Sequence, residues 1–265
     1  MMLQLLSILF MIPISFLFYA LSERLIAKHE SRVGREVLLG SFLVQTGVDA
    51  WKEISSRSHF SLWLLFFLQC SLVVLFEIDV EYLIFIYLAV NAFAMICVHQ
   101  QKMKSVVGRI EADRQEVRCS IGLVIALLCL FGCFTLNKTT SLAQIQWGWV
   151  DLFFVIPFQL AGMILFHEQP FNGESPKPGW VESVRFYLWS MLCAKLFLGG
   201  GSYYFDFHLK AAAIYLIFRV SGIYFPRLHQ RDLLRVAILY LFPITGLLWL
   251  FAMLYGLVEG GVLNV

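Results

Sequence analysis

"CSIGLVIALLCLFGCFTL" (Cys119–Leu136) runs for eighteen residues without a charge. A helix needs about 20 apolar residues to cross the hydrocarbon core of a bilayer, so this stretch reads as a transmembrane helix. Reading outward from it, Arg118 stands immediately before and Lys138 just beyond. Segments 2–21, 60–77, 81–98, 150–167, 184–201, 208–225 and 236–257 share its character. The composition agrees, with 60% hydrophobic and 14% charged residues in a chain of 265. A soluble domain carries roughly a quarter charged residues. The expected fold is therefore an all-α integral membrane protein, one membrane domain over 1–265 with eight transmembrane helices. Met1–Leu21 lacks a basic leading region and a small-x-small cleavage site, and is expected to remain as the first helix.

The connecting segments separate by charge. Those after the first, third, fifth and seventh apolar segments hold nearly all the basic residues, from Arg24, Lys28, Arg32 and Arg35 to Arg227, Arg231 and Arg235. The others hold essentially Lys138 alone. Positive charge stays cytoplasmic, so both termini are expected outside. A net charge of +2 gives no basic surface for nucleic acid. The six cysteines lie in or beside apolar runs without a C-x-x-C pair, and read as buried small hydrophobes, not disulfides or metal ligands.

The first inner connection is too patterned for a plain linker. Across about 35–54, Val37, Leu38, Phe42, Val44, Val48 and Trp51 recur near helical spacing, with Glu36, Gln45, Asp49, Lys52 and Glu53 between them. That pattern predicts an amphipathic helix lying on the membrane or against a partner. Taken alone, Asp49, Lys52 and Glu53 are an ordinary solvated helical face.

These residues also carry a resemblance. Glu23–Arg24, then Arg32-x-Gly34, then Gln45, Asp49 and Lys52 resemble the first cytoplasmic loop of the mitochondrially encoded subunit 1 of respiratory complex I and its bacterial counterparts, with the pattern E-R, R-x-G and Q-x-x-x-D-x-x-K. "GRIEADRQEV" (Gly108–Val117) is similar to the loop after the third helix, with a flavour of the membrane subunits of energy-converting hydrogenases. "EQPF" (Glu168–Phe171), "VESVRF" (Val181–Phe186) and "FPRLHQRDLL" (Phe225–Leu234) resemble later family segments, in the family's order. The resemblance implies eight helices with external termini and a quinone-type cavity. It assigns Arg32, Gly34, Gln45, Asp49, Lys52, Glu168 and Phe171 to the cavity and docking loops, and Glu23, Lys195, Glu182 and Arg219 to the ion path. It also implies antiporter-like membrane partners, peripheral iron–sulfur partners and a prokaryotic inner membrane.

Ionisable residues at membrane depth usually face a cavity or a partner. Lys195 stands a little over two turns into the 184–201 segment, where the family has an Ala-Glu pair; here the pair is Ala194–Lys195. Related hydrogenase subunits carry lysines in this helix. Lys195 could exchange protons or pair statically with a carboxylate. Arg219 is placed to snorkel toward the interface, and Asp151 reads as a helix-start carboxylate. The sequence departs from the family where Asn172 replaces an aspartate, where the loop after the fifth helix shortens, and where Cys119–Ser120 stand in place of an acid. Pro157, Pro243 and the Gly199–Gly201 run are expected to kink or loosen their helices.

The chain has no cysteine framework for iron–sulfur clusters, no paired haem histidines and no glycine-rich nucleotide loop, so no cofactor of its own is expected. A quinone is the ligand the implied cavity would take. The expected function is that of a non-redox membrane subunit in a complex I-like or hydrogenase-like oxidoreductase, coupling electron transfer to proton or sodium movement. The alternatives are a non-catalytic anchor for a cytoplasmic partner, favoured by the missing acids, and a stand-alone ion transporter, disfavoured by the absence of an internal helix repeat.

Overall fold

The computed structural model describes residues 106–139, 148–166, 180–199, 205–224 and 234–259, with the single positions 17, 21, 48, 84, 87–89 and 145. The described residues are helices and short turns at some of their ends, without a strand. In chain order these are α1 (Val106–Asn137), α2 (Leu152–Phe166), α3 (Trp180–Phe197), α4 (Phe205–Tyr224), a π-helical turn over Ala237–Leu241, and α5 (Phe242–Glu259). Each helix packs on the next from α1 through α4, and α5 folds back onto α1. Ile84, Tyr87 and Leu88, helical themselves, are buried in the same core.

Two helical runs among the described residues are long and apolar enough to cross a membrane unaided: Glu116–Asn137, of 22 residues, and Leu234–Val258, of 25. At 1.5 Å per residue they reach roughly 33 and 38 Å. The second run separates a membrane helix from the core helix of a soluble protein, because most of it is uncovered. Leu239, Tyr240, Leu247 and Leu254 are each more than half exposed. An apolar face of that extent is stable against hydrocarbon and costly in water. Helices suit that setting because every backbone polar group is satisfied within the segment.

Helix ends follow local chemistry. α1 takes in Gly108–Val117, so the charged stretch is helical and continuous with the apolar run. Beyond Gly108 it holds no glycine or proline, and Glu, Ala, Arg and Gln are good helix formers. Lys138 closes α1 with φ 52°. Gly199 takes φ 56° after Leu198 N–H bonds to the Ala194 carbonyl at 3.1 Å. This left-handed step, which glycine makes without Cβ strain, ends α3 at Phe197. Gly199 thus marks the end of the helix; it does not loosen it from within.

Proline effects differ between the two sites. Pro157 is accommodated inside α2. Pro243 follows the π turn, whose closing bond runs from Phe242 N–H to the Ala237 carbonyl, five residues back. Proline lacks a donor for residue i−4 and its ring crowds that carbonyl. Here that residue is Leu239, inside the π turn, so the widened turn absorbs both effects.

Small residues set the helix spacing. A side chain at Gly122 would meet Leu165 at 2.9 Å and the Ala161 carbonyl at 3.2 Å. At Gly132 it would collide with the Phe154 ring, and at Gly162 with the Trp189 indole. Close approach through small residues is the general means of packing helices in lipid, where burial in water supplies no driving force.

Candidate functional site

α3 lies between α2 and α4, and its Ser190 is fully buried. Side-chain pairs fix it as antiparallel to α4: Phe186 with Tyr215 at a ring separation of 5.8 Å, Tyr187 with His208, and Lys210 with the Leu198 carbonyl. On the α2 side, Trp189 stacks on Phe158 at 4.5 Å and its Nε1–H donates to the Phe158 carbonyl at 3.0 Å. Phe197 meets Phe158 edge-on at 5.2 Å and stacks with Phe154 at 6.2 Å.

The turn Phe186–Ser190 of α3 gathers polar groups from both neighbours. Gln159 of α2, fully buried, donates from Nε2 to Ser190 Oγ at 2.7 Å. Ser190 Oγ in turn donates to the Phe186 carbonyl at 2.9 Å. On the other flank, the Tyr187 hydroxyl lies 3.4 Å from His208 Nδ1. Tyr215, also fully buried, sets its ring 5.9 Å from that of Tyr187. Gln159 Oε1 and the Tyr215 hydroxyl are buried and have no hydrogen-bond partner among the described residues.

A second polar group closes the end of the bundle where α1 meets α2. Asp151 is buried and accepts the Gly148 N–H on Oδ2 at 3.0 Å. Asn137 Nδ2 donates to the Cys133 carbonyl at 3.0 Å, and Cys133 Sγ contacts the Leu196 carbonyl of α3 at 3.5 Å. Asp151 stands one residue ahead of α2, as a helix-start carboxylate should. Within α1, well inside its N-terminal end, Arg118 is fully buried, although charge patterning alone places it in a loop.

Of the ion-path residues expected from the sequence, Lys195 occupies the last turn of α3 and is half-buried. Its place in the last turn follows from a helix that stops before Gly199. Lys210 Nζ donates to the Leu198 carbonyl at 3.4 Å, so two ammonium-bearing residues attend the negative end of the same helix. Glu182 lies in the first turn of α3, about 20 Å along the axis from Lys195. The two do not form one cluster. Arg219 lies on α4 toward the end that runs beside Glu182. Glu23, Arg32, Gly34, Gln45, Asp49, Lys52, Glu168 and Phe171 lie outside the described residues. No group of three His, Cys, Asp or Glu side chains that could hold a metal occurs among the described residues.

Sequence reasoning passes over Gln159, Ser190, Tyr187 and Tyr215. The one signal available is their position as polar or hydroxyl residues within apolar segments.

No family model matches the chain, and no curated protein matches it. Among solved structures it resembles a chain of the membrane-bound sulfane sulfur reductase, an archaeal respiratory membrane complex. The TM-score is 0.69 at 15% identity, over 94% of this chain and 98% of that one. The shared feature is the fold, across essentially the full length of both chains.

Proposed function

We propose that this chain is a membrane subunit of a complex I-like or energy-converting hydrogenase-like assembly, joining a peripheral electron-transfer arm to proton or sodium translocation. The observation that carries the reading is the end-to-end likeness in fold to a chain of a respiratory membrane complex. It accords with the order of the charged motifs from Glu23 to Leu234. In this reading the chain holds no redox centre. The Gln45–Asp49–Lys52 helix and the Glu168–Phe171 loop shape a quinone-type cavity on the cytoplasmic side. Glu23, Glu182, Arg219 and Lys195 serve the ion path, and both termini and the Lys195 end of α3 face outward from an inner membrane. The uncovered face of α5 suits lipid or a neighbouring membrane subunit.

The test is purification of the tagged chain from its native host in gentle detergent, with mass spectrometry of what remains bound. Stoichiometric antiporter-like and iron–sulfur subunits are expected. A chain recovered alone, or with a non-redox partner only, would overturn the reading in favour of a transporter or an anchor.

A further inference from the structure

Two residues packed against the Phe186–Ser190 turn of α3 carry buried oxygen atoms without a hydrogen-bond partner among the described residues. They are Gln159, bonded to Ser190, and Tyr215, whose ring lies beside Phe186 and Tyr187. Gln159 Oε1 comes from α2 and the Tyr215 hydroxyl from α4. Had Gln159 served as helix–helix glue alone, its bond to Ser190 at 2.7 Å would complete the feature. Its remaining acceptor and the Tyr215 hydroxyl on the far flank go beyond that role. An unsatisfied polar group in an apolar interior costs several kcal/mol. Two residues that carry such groups, both packed against one helical turn, call for partners that fit between side chains. Water supplies such partners where two or more polar groups converge.

We propose that this turn is the centre of a water-bridged hydrogen-bond chain, from Gln159 and Ser190 through Tyr215 and Tyr187 to His208, that conducts protons toward the α3–α4 end of the bundle. His208 is the group that opens the chain: it is half-buried, near the start of α4, and its Nδ1 lies 3.4 Å from the Tyr187 hydroxyl. Each hydroxyl, water and imidazole accepts one proton as it releases another. One O–H or N–H bond forms as the next breaks, and no electron moves. Gln159 and Ser190 orient the inner water without being protonated themselves. The route runs along the α4 flank of α3 toward the helix end that bears Lys195, so the two belong to one path in series.

This inference rests on the proposed function, and the experiment separates the two. The native assembly is reconstituted in vesicles, and electron transfer and proton movement are measured together with a pH-sensitive dye. Tyr215→Phe removes one oxygen and keeps the ring packing on Phe186 and Tyr187. It is expected to retain electron transfer under uncoupled conditions while protons moved per electron pair fall on the order of tenfold. Gln159→Met, of similar volume, carries the same expectation should Tyr215→Phe fail to assemble. Undiminished proton movement in an assembled variant would overturn the chain while leaving the function standing. A wild-type assembly that transfers electrons but moves no protons would overturn proton conduction by this chain, and would challenge the coupling reading itself.

Discussion

Trp189 donates its indole N–H to the Phe158 carbonyl at 3.0 Å while its ring stacks on that residue's own side chain at 4.5 Å. The Phe158 carbonyl is the one an α-helix pairs with residue 162. That residue is Gly162, which bears no Cβ to hold the indole away. One backbone site on α2 therefore accepts a large buried aromatic from α3, satisfies its only polar atom and sets how closely the two helices pack.

Gly162→Ala should accordingly be costly. The new Cβ would overlap the indole of a fully buried tryptophan, which has no free space into which to withdraw. A loss of about 1–3 kcal/mol is expected, as for other overpacked cores. Thermal unfolding in detergent measures it, and an unchanged midpoint would show that α2 and α3 part readily here. Gly246→Ala, inside α5 where nothing lies within 4 Å, is the matching control and should not lower the midpoint.

The Gln159–Ser190 bond is suited to a double-mutant cycle. Ser190→Ala leaves Gln159 Nε2 buried without its acceptor and should cost about 1 kcal/mol. In a Gln159→Leu background the same change should cost much less, since the stranded donor has gone. Equal costs in both backgrounds would mean that the 2.7 Å contact adds nothing to helix association.

What can be read from the sequence, and what cannot, divides along chemical lines. Uncharged runs such as Cys119–Leu136 announce helices, because only a helix satisfies its own backbone in lipid. The charged run Gly108–Val117 reads as a connection, yet it is part of α1; charge indicates exposure and does not break a helix. The Gly199–Gly201 run reads as slack, but φ at Gly199 makes its first residue a stop, which shifts Lys195 to the helix end. Gln159 and Ser190 stand thirty-one residues apart, and no local pattern links them. The docking-loop residues from Arg32 to Lys52 rest on motif order, since they fall outside the described residues.

The π turn before Pro243 gives a prediction about register. Replacing Pro243 with alanine restores a donor for the Leu239 carbonyl and removes the ring's clash, so the turn should relax to an ordinary α-helix. Residues ahead of it would rotate by about 100° relative to α5, turning Ala237 out of the core. In a background without native cysteines, Ala237→Cys should resist thiol reagents, as its 1% exposure requires. It should react once Pro243→Ala is added. Equal protection in both backgrounds would show that packing on α1, and not the proline, holds the π turn.

Lys195 supports two roles that one substitution pair separates. Its half-buried place in the last turn of α3, a helix whose Leu198 carbonyl accepts from Lys210, suits a cation balancing the helix end. The same place suits a group that passes protons, because an amine can release and regain a proton where a guanidinium cannot. Lys195→Arg should therefore leave the native assembly intact and electron transfer running, while ions moved per electron pair fall on the order of tenfold, the usual reach of a lost proton-transfer group being larger still. Lys195→Met should lose translocation as well, and also about 0.3–1 kcal/mol of stability at the helix end. Full translocation by the arginine variant would make Lys195 a static partner of the α3 terminus and remove it from the ion path.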